Sequence, residues 1–122
     1  MSSRNPRQRF EDIVRNIDAI TSYTGKLEKV QFLSDQKTID ATERCLARIS
    51  EAAVKLGELA EAIAPEEPWP DIRGFGNWLR HDYDDVTHEP IWKIIQENLP
   101  SLRKSCLAAI TELDRRAASD AN

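Results

Sequence analysis

The sequence predicts an all-α fold, an antiparallel four-helix bundle with one short additional helix. Two observations predict it. Apolar residues recur at i, i+3, i+4 and i+7 along most of the chain, the spacing that lines one face of a helix. The 4 glycines and 7 % aromatic residues are too few for a design of short strands and many tight turns. At 122 residues, 40 % hydrophobic and 31 % charged, the chain reads as one globular domain over 1–122. Its expected core covers about 7–116, with 117–122 as a frayed tail.

The first helix is expected from about Arg7 to Tyr23, where Phe10, Ile13, Val14, Ile17 and Ile20 share a face. Gly25 is its expected left-handed stop. A short helix near Leu27 to Leu33 offers Leu27, Val30, Phe32 and Leu33 as a lid. Ser34 or Asp35 then caps the longest helix, whose stripe of Ile39, Leu46, Ile49, Ala53, Leu56, Ala60 and Ile63 continues without a break. Ala52 and Ala62 beside that stripe permit close approach of another helix. Three prolines, Pro65, Pro68 and Pro70, end it, because each lacks a backbone N–H. A fourth helix is expected from Asp71 to Asp82, and a polar loop from Asp84 to His88. The last helix opens near Thr87 or His88 with Pro90 in its first turn, and Pro100 is expected to kink or split it at Asn98.

Cys45 and Cys106 are the only cysteines, and each sits inside a helical stripe. That usage fits buried free thiols in a reducing compartment. The first residues, Met1 to Arg7, lack the apolar run of a signal peptide, and no window is apolar enough for a membrane span. A cytoplasmic protein with no membrane contact is expected. The net charge of −4 argues against non-specific nucleic-acid binding over the whole surface, which draws its affinity from a basic face. Contact with nucleic acid must then be local, transient, or built from two chains.

Candidate chemistry concentrates between Trp69 and Tyr83, which hold two tryptophans, two glycines, two arginines, a histidine and a tyrosine. On an α-helix Ile72, Phe75 and Leu79 face the core, while Arg73, Asn77, Arg80 and His81 share a neighbouring polar stripe. Asn77 and His81 are an i, i+4 pair. A histidine beside arginines favours its neutral form, which can take a proton from a ribose 2′-hydroxyl. An arginine can steady the charge that then builds on phosphorus. Spacing alone equally fits a plainer role, a histidine capping a helix end or lying solvated there. His81, Asp82, Asp84, Asp85 and His88 are spread too evenly over a helix end and loop to form a defined ligand set, so neither metal nor cofactor is expected. Trp69, Trp78 and Trp92 are expected to pack in the core or between subunits, with Trp78, off the core face, at a subunit contact.

The run from Pro68 to Tyr83 resembles the signature of HepT-like toxins in the HEPN superfamily. Asp85-Val86, Ile91 to Ile95 and Asn98 to Pro100 resemble the segment that follows it. Tyr23-Thr24, Phe32 to Thr38 and Ile49 to Leu56 fit upstream, so the likeness covers nearly the whole chain. The resemblance implies a homodimer with two signature helices around one cleft, acting as a metal-independent endoribonuclease and toxin on an RNA substrate such as tRNA or mRNA. It also implies an antitoxin partner, a nucleotidyltransferase of the MNT type, which blocks the cleft by transferring AMP to the motif tyrosine. The family motif is arginine, four residues beginning with a polar one, histidine, any residue, tyrosine. Asn77 matches the polar residue, His81 the histidine and Tyr83 the tyrosine. The arginine position falls on Gly76.

Three readings of Gly76 stay open at this point. The chain is a naturally inactive member, or Gly76 is a loss-of-toxicity change, or Arg73 or Arg80 has taken over. The first two are preferred, because Arg73 lies two turns from His81 and Arg80 points about 100° away from it. Two functions follow: a ribonuclease toxin using His81, Asn77 and Arg80, or a catalytically silent HEPN module that binds a nucleotidyltransferase or RNA.

Overall fold

The computed structural model describes residues 5–82 and 87–121, with the backbone alone for His81 and Asp82. Tyr83, the expected modification site, and Asp84, Asp85 and Val86 of the expected polar loop lie outside the described residues. The fold is all-α. Its long helices are α1 (Pro6–Thr24), α3 (Gln36–Leu56) and α7 (Leu99–Asp120). Shorter pieces are α2 (Lys29–Leu33), α4 (Leu59–Ile63), α5 (Trp69–Asn77), a π turn (Trp78–Asp82) and α6 (Glu89–Glu97).

The α1 stripe closes the core as its spacing predicts, with Phe10, Ile13, Ile17 and Ile20 at most 2 % exposed. They meet Ile39, Leu46, Ile49, Ala53 and Leu56 of α3 and Leu102 and Cys106 of α7. Both cysteines are buried and free. Desolvation, aided by the charges of Glu67 and Glu66, pushes the Cys106 thiol up to about 12. No helix among the described residues is long and apolar enough to cross a membrane.

Five local expectations change. Gly25 ends α1 with φ −62°, a right-handed conformation. Its N–H donates to the Thr21 carbonyl at 2.7 Å, and a Cβ there would stand 2.7 Å from that same oxygen. The glycine serves a close approach, not a left-handed turn. Val30 is 77 % exposed and forms no part of the lid; Phe32 does, its ring centroid 5.2 Å from that of Trp92. The long third helix stops at Leu56, where Gly57 takes φ 60°, the left-handed region that favours glycine. The apolar stripe resumes in α4 with buried Ala60, so the pattern continues although the helix does not; Ala62 is exposed. The fourth helix begins earlier, at Trp69, and changes to a π turn at Trp78. The expected frayed tail is instead helical as far as Asp120.

The remaining punctuation holds. Asp35 caps α3 by accepting the Thr38 N–H at 3.1 Å. Pro90 sits in the first turn of α6, and the chain divides at Asn98 into α6 and α7.

Candidate active site

The helix that carries the motif is fastened at its start. Trp69 is fully buried, its ring edge-on to Phe10 with centroids 6.2 Å apart, and its Nε1–H donates to the Ala64 carbonyl at 2.7 Å. Just before it, the buried Glu67 carboxylate accepts hydrogen bonds from Ser101 and Ser105 of α7, both at 2.8 Å. These contacts tie the start of α5 to α1 and α7, while a cavity of about 220 Å³ remains toward the α6–α7 junction. Ile49, Ile72, Phe75, Ile94 and Asn98 are among its lining residues. Ile72, Phe75 and Leu79 pack on the core but stay half-buried. Trp78 joins them, its ring 5.1 Å from that of Phe75, so part of its surface is spent within the chain.

Gly76 packs directly on α3. It is buried, and its N–H donates to the Ser50 Oγ at 3.0 Å. That hydroxyl in turn donates to the Arg73 carbonyl at 2.9 Å. A Cβ on residue 76 would come within 3.0 Å of the Ser50 Oγ and 3.4 Å of its Cβ. Nothing lies within 4 Å of the equivalent point on Gly74. Ser50, on the inner side of α3, is absent from the sequence-level site. Its signal was a small polar residue on an otherwise apolar stripe, four residues after Leu46 and three before Ala53.

The two arginines of the motif separate clearly. Arg73 forms a two-pronged ion pair with Glu61, Nη1 to Oε1 at 3.0 Å and Nη2 to Oε2, and Nη1 also reaches the Gly57 carbonyl. That pairing holds the Glu61 carboxyl below its usual range and raises the Arg73 guanidinium. Arg80 is exposed, and no hydrogen bond or ion pair engages it among the described residues. Its Nη1 stands 3.5 Å from the point where a Cβ on residue 76 would be. Side chains on a helix lean toward its N-terminus, so the residue four places on covers position 76. Measured from His81, Arg80 is out of place by sequence; measured from Gly76, it is the i+4 neighbour.

Asn77 is exposed one residue before the π turn. His81 lies within that turn, where i→i+5 bonding winds the backbone by about 80° per residue rather than about 100°. The i, i+4 pairing of Asn77 with His81 expected for a regular α-helix therefore does not carry over unchanged. His88 stands apart from the motif at the start of α6, its Nδ1 4.0 Å from Glu43 Oε2 on α3.

Comparison with known proteins adds the family context. Residues 13–109 match the family model described as "Ribonuclease HepT-like". The chain is 32 % identical over 100 residues to a protein named "Probable ribonuclease HepT" from Thermococcus cleftensis, covering 82 % of this chain and 91 % of that one. It is 26 % identical over 104 residues to a protein of Methanocaldococcus jannaschii named as an RNase by inference, covering 85 % and 95 %. A second such protein of that organism is 29 % identical over 114 residues, covering 93 % and 94 %. No solved structure matches the chain.

Proposed function

Because this chain belongs to the HepT-like ribonuclease family, we propose that it is a metal-independent endoribonuclease acting on RNA as a homodimer. The observation that carries the reading is the family match across 13–109; the assignment of Asn77, His81 and Tyr83 to the motif rests on the sequence resemblance. Exposure of Asn77 at the end of α5 and of Arg80 in the π turn supports it.

A neutral His81 imidazole takes the proton of a ribose 2′-hydroxyl. The 2′-oxygen attacks the adjacent phosphorus, the bond to the 5′-oxygen breaks, and that oxygen takes up a proton from the imidazolium or from water. The products are a 2′,3′-cyclic phosphate and a 5′-hydroxyl. Asn77 holds a phosphate oxygen through its amide N–H groups. In a homodimer two such sets face one cleft, which concentrates positive charge locally on a chain with net charge −4.

The same resemblance supports a cytoplasmic toxin of a toxin–antitoxin pair. Its MNT-type nucleotidyltransferase antitoxin transfers AMP to the Tyr83 hydroxyl, releasing pyrophosphate from ATP. A bulky anion at that position excludes RNA from the cleft.

The test is cleavage of a labelled RNA by purified protein in EDTA. Cleavage to cyclic-phosphate ends, lost by about a thousandfold or more in His81→Ala, is expected for removal of a general base. RNA left intact by the wild-type chain overturns the catalytic reading and leaves the silent binding module, whose specific support is Gly76. Co-purification with the nucleotidyltransferase and a mass gain of one AMP at Tyr83 tests the pairing; no association removes it.

A further inference from the structure

We infer that Arg80 supplies the guanidinium that position 76 lacks, and that Gly76 and Arg80 are one functional unit in which the glycine makes room for the displaced arginine. This rests on the ribonuclease reading above and deepens it. It reverses the preference for an inactive chain that the bare sequence encourages.

Three observations converge. Space comes first: the Arg80 Nη1 lies in ordinary van der Waals contact, 3.5 Å, with the point where any residue-76 side chain would begin. An arginine at 76 and Arg80 in its present place would compete for one volume and repel as like charges. The second is availability. Arg73, the other candidate, is tied to Glu61 by both terminal nitrogens, whereas Arg80 is exposed and uncommitted among the described residues. Of the two, the guanidinium not held by Glu61 is the one left to meet a phosphate. The third is the backbone. Gly76 is drawn onto α3 by the Ser50 hydroxyl at 3.0 Å, an approach that a Cβ would crowd. With that approach made, the π turn follows at once from Trp78, and Arg80 and His81 are carried on the same five-residue turn. π turns of this kind recur at functional sites.

The consequence for substrate is specific. Arg80 contacts the scissile phosphate beside His81 and stabilises its charge as the 2′-oxygen adds, so its loss acts mainly on kcat. Lysine at 80 keeps the charge but loses the two-pronged geometry.

Two measurements test this. In cleavage assays Arg80→Gln is expected to lower kcat by about a hundredfold or more, on the scale of removing one transition-state donor. Arg80→Lys should retain an intermediate rate. Restoring an arginine at 76 with the Ser50 contact relieved, Gly76→Arg with Ser50→Ala and Arg80→Gln, should recover at least about tenfold over Ser50→Ala with Arg80→Gln, whereas Gly76→Arg alone should give no gain. In binding assays with an uncleavable 2′-O-methyl RNA, Arg80→Gln should weaken affinity several-fold and exposed Lys104→Gln on α7 should not. Circular dichroism confirms that each variant is folded. Unchanged cleavage and unchanged binding in folded Arg80→Gln overturns the inference. A wild-type chain that cuts nothing, yet loses RNA binding with Arg80→Gln, overturns the catalytic reading and keeps Arg80 as the phosphate contact.

Discussion

The α1–α3–α7 frame and the α5–π-turn segment are built on different terms. In the frame the inward apolar side chains are almost completely removed from water, from Phe10 and Ile13 at 0 % to Leu99 at 5 %. In α5 only Trp69 and Gly76 are buried, one a large anchor and the other the absence of a side chain. Ile72 and Phe75 sit half-covered between them, and Trp78 and Leu79 sit half-covered just beyond Gly76. The frame holds the stability, and the motif segment is fixed to it at two points. That division leaves Asn77 and Arg80, just beyond the second point, accessible while the backbone before them stays placed.

Removing the first anchor should break the comparison most. Trp69→Ala is expected to cost about 3–5 kcal/mol, the range for large aromatic truncations in a core. Chemical denaturation would read it. RNA cleavage should fall with it even where the protein stays folded, since α5 loses its fixed start. A stability loss below about 1 kcal/mol would show that the ring is not the anchor.

The second anchor is smaller and sharper. Ser50→Ala should cost about 1–2 kcal/mol by stripping Gly76 N–H and the Arg73 carbonyl of a shared buried hydroxyl. Gly76→Ala alone sets a helix-propensity gain of about 1 kcal/mol against a Cβ pressed to 3.0 Å from Ser50 Oγ, and is expected to destabilise. Combined with Ser50→Ala the same change should become neutral or favourable. Additive effects in that double-mutant cycle would show that the two residues do not touch in solution.

The weakest tie is the Arg73–Glu61 pair. The Glu61 carboxyl sits below its usual value because Arg73 donates to it. A depressed carboxylate stabilises the fold above its unfolded pKa of about 4.3, and that contribution fades as pH falls through the lower folded value. The melting temperature of wild type should therefore exceed that of Glu61→Gln at neutral pH, with the gap closing below about pH 4. The pair is substantially exposed, so the gap should be small. A gap that widened in acid would contradict the assignment.

The frame was legible in sequence because burial there is periodic and local. Pro100 announced the α6–α7 division and Asp35 the start of α3, each through a backbone group that proline lacks or aspartate satisfies. Gly57 was not legible, since Leu56, Ala60 and Ile63 keep helical spacing straight across the break. The candidate site draws notice in sequence by residue type, but its geometry does not follow from spacing. His81, Asn77 and Gly76 stand out by motif, yet the contact that gives Gly76 its meaning comes from Ser50, 26 residues away. The π turn leaves no mark in composition. Only the i+4 relation of Arg80 to Gly76 was open to reading from spacing.

The pairing of α1 with α7 has a temporal consequence. Arg7 meets Asp114 and Asp18 meets Arg103, joining segments 107 and 85 residues apart. The apolar face of α1 gains part of its cover from α7, which the ribosome makes after every other described helix. At synthesis rates of about 5–20 residues per second, α1 waits several seconds for that partner. The motif helix thus emerges before the frame that fixes it is closed, and a nascent chain displays these side chains without holding them in register. Whatever RNA chemistry they perform begins only after translation of α7 is finished.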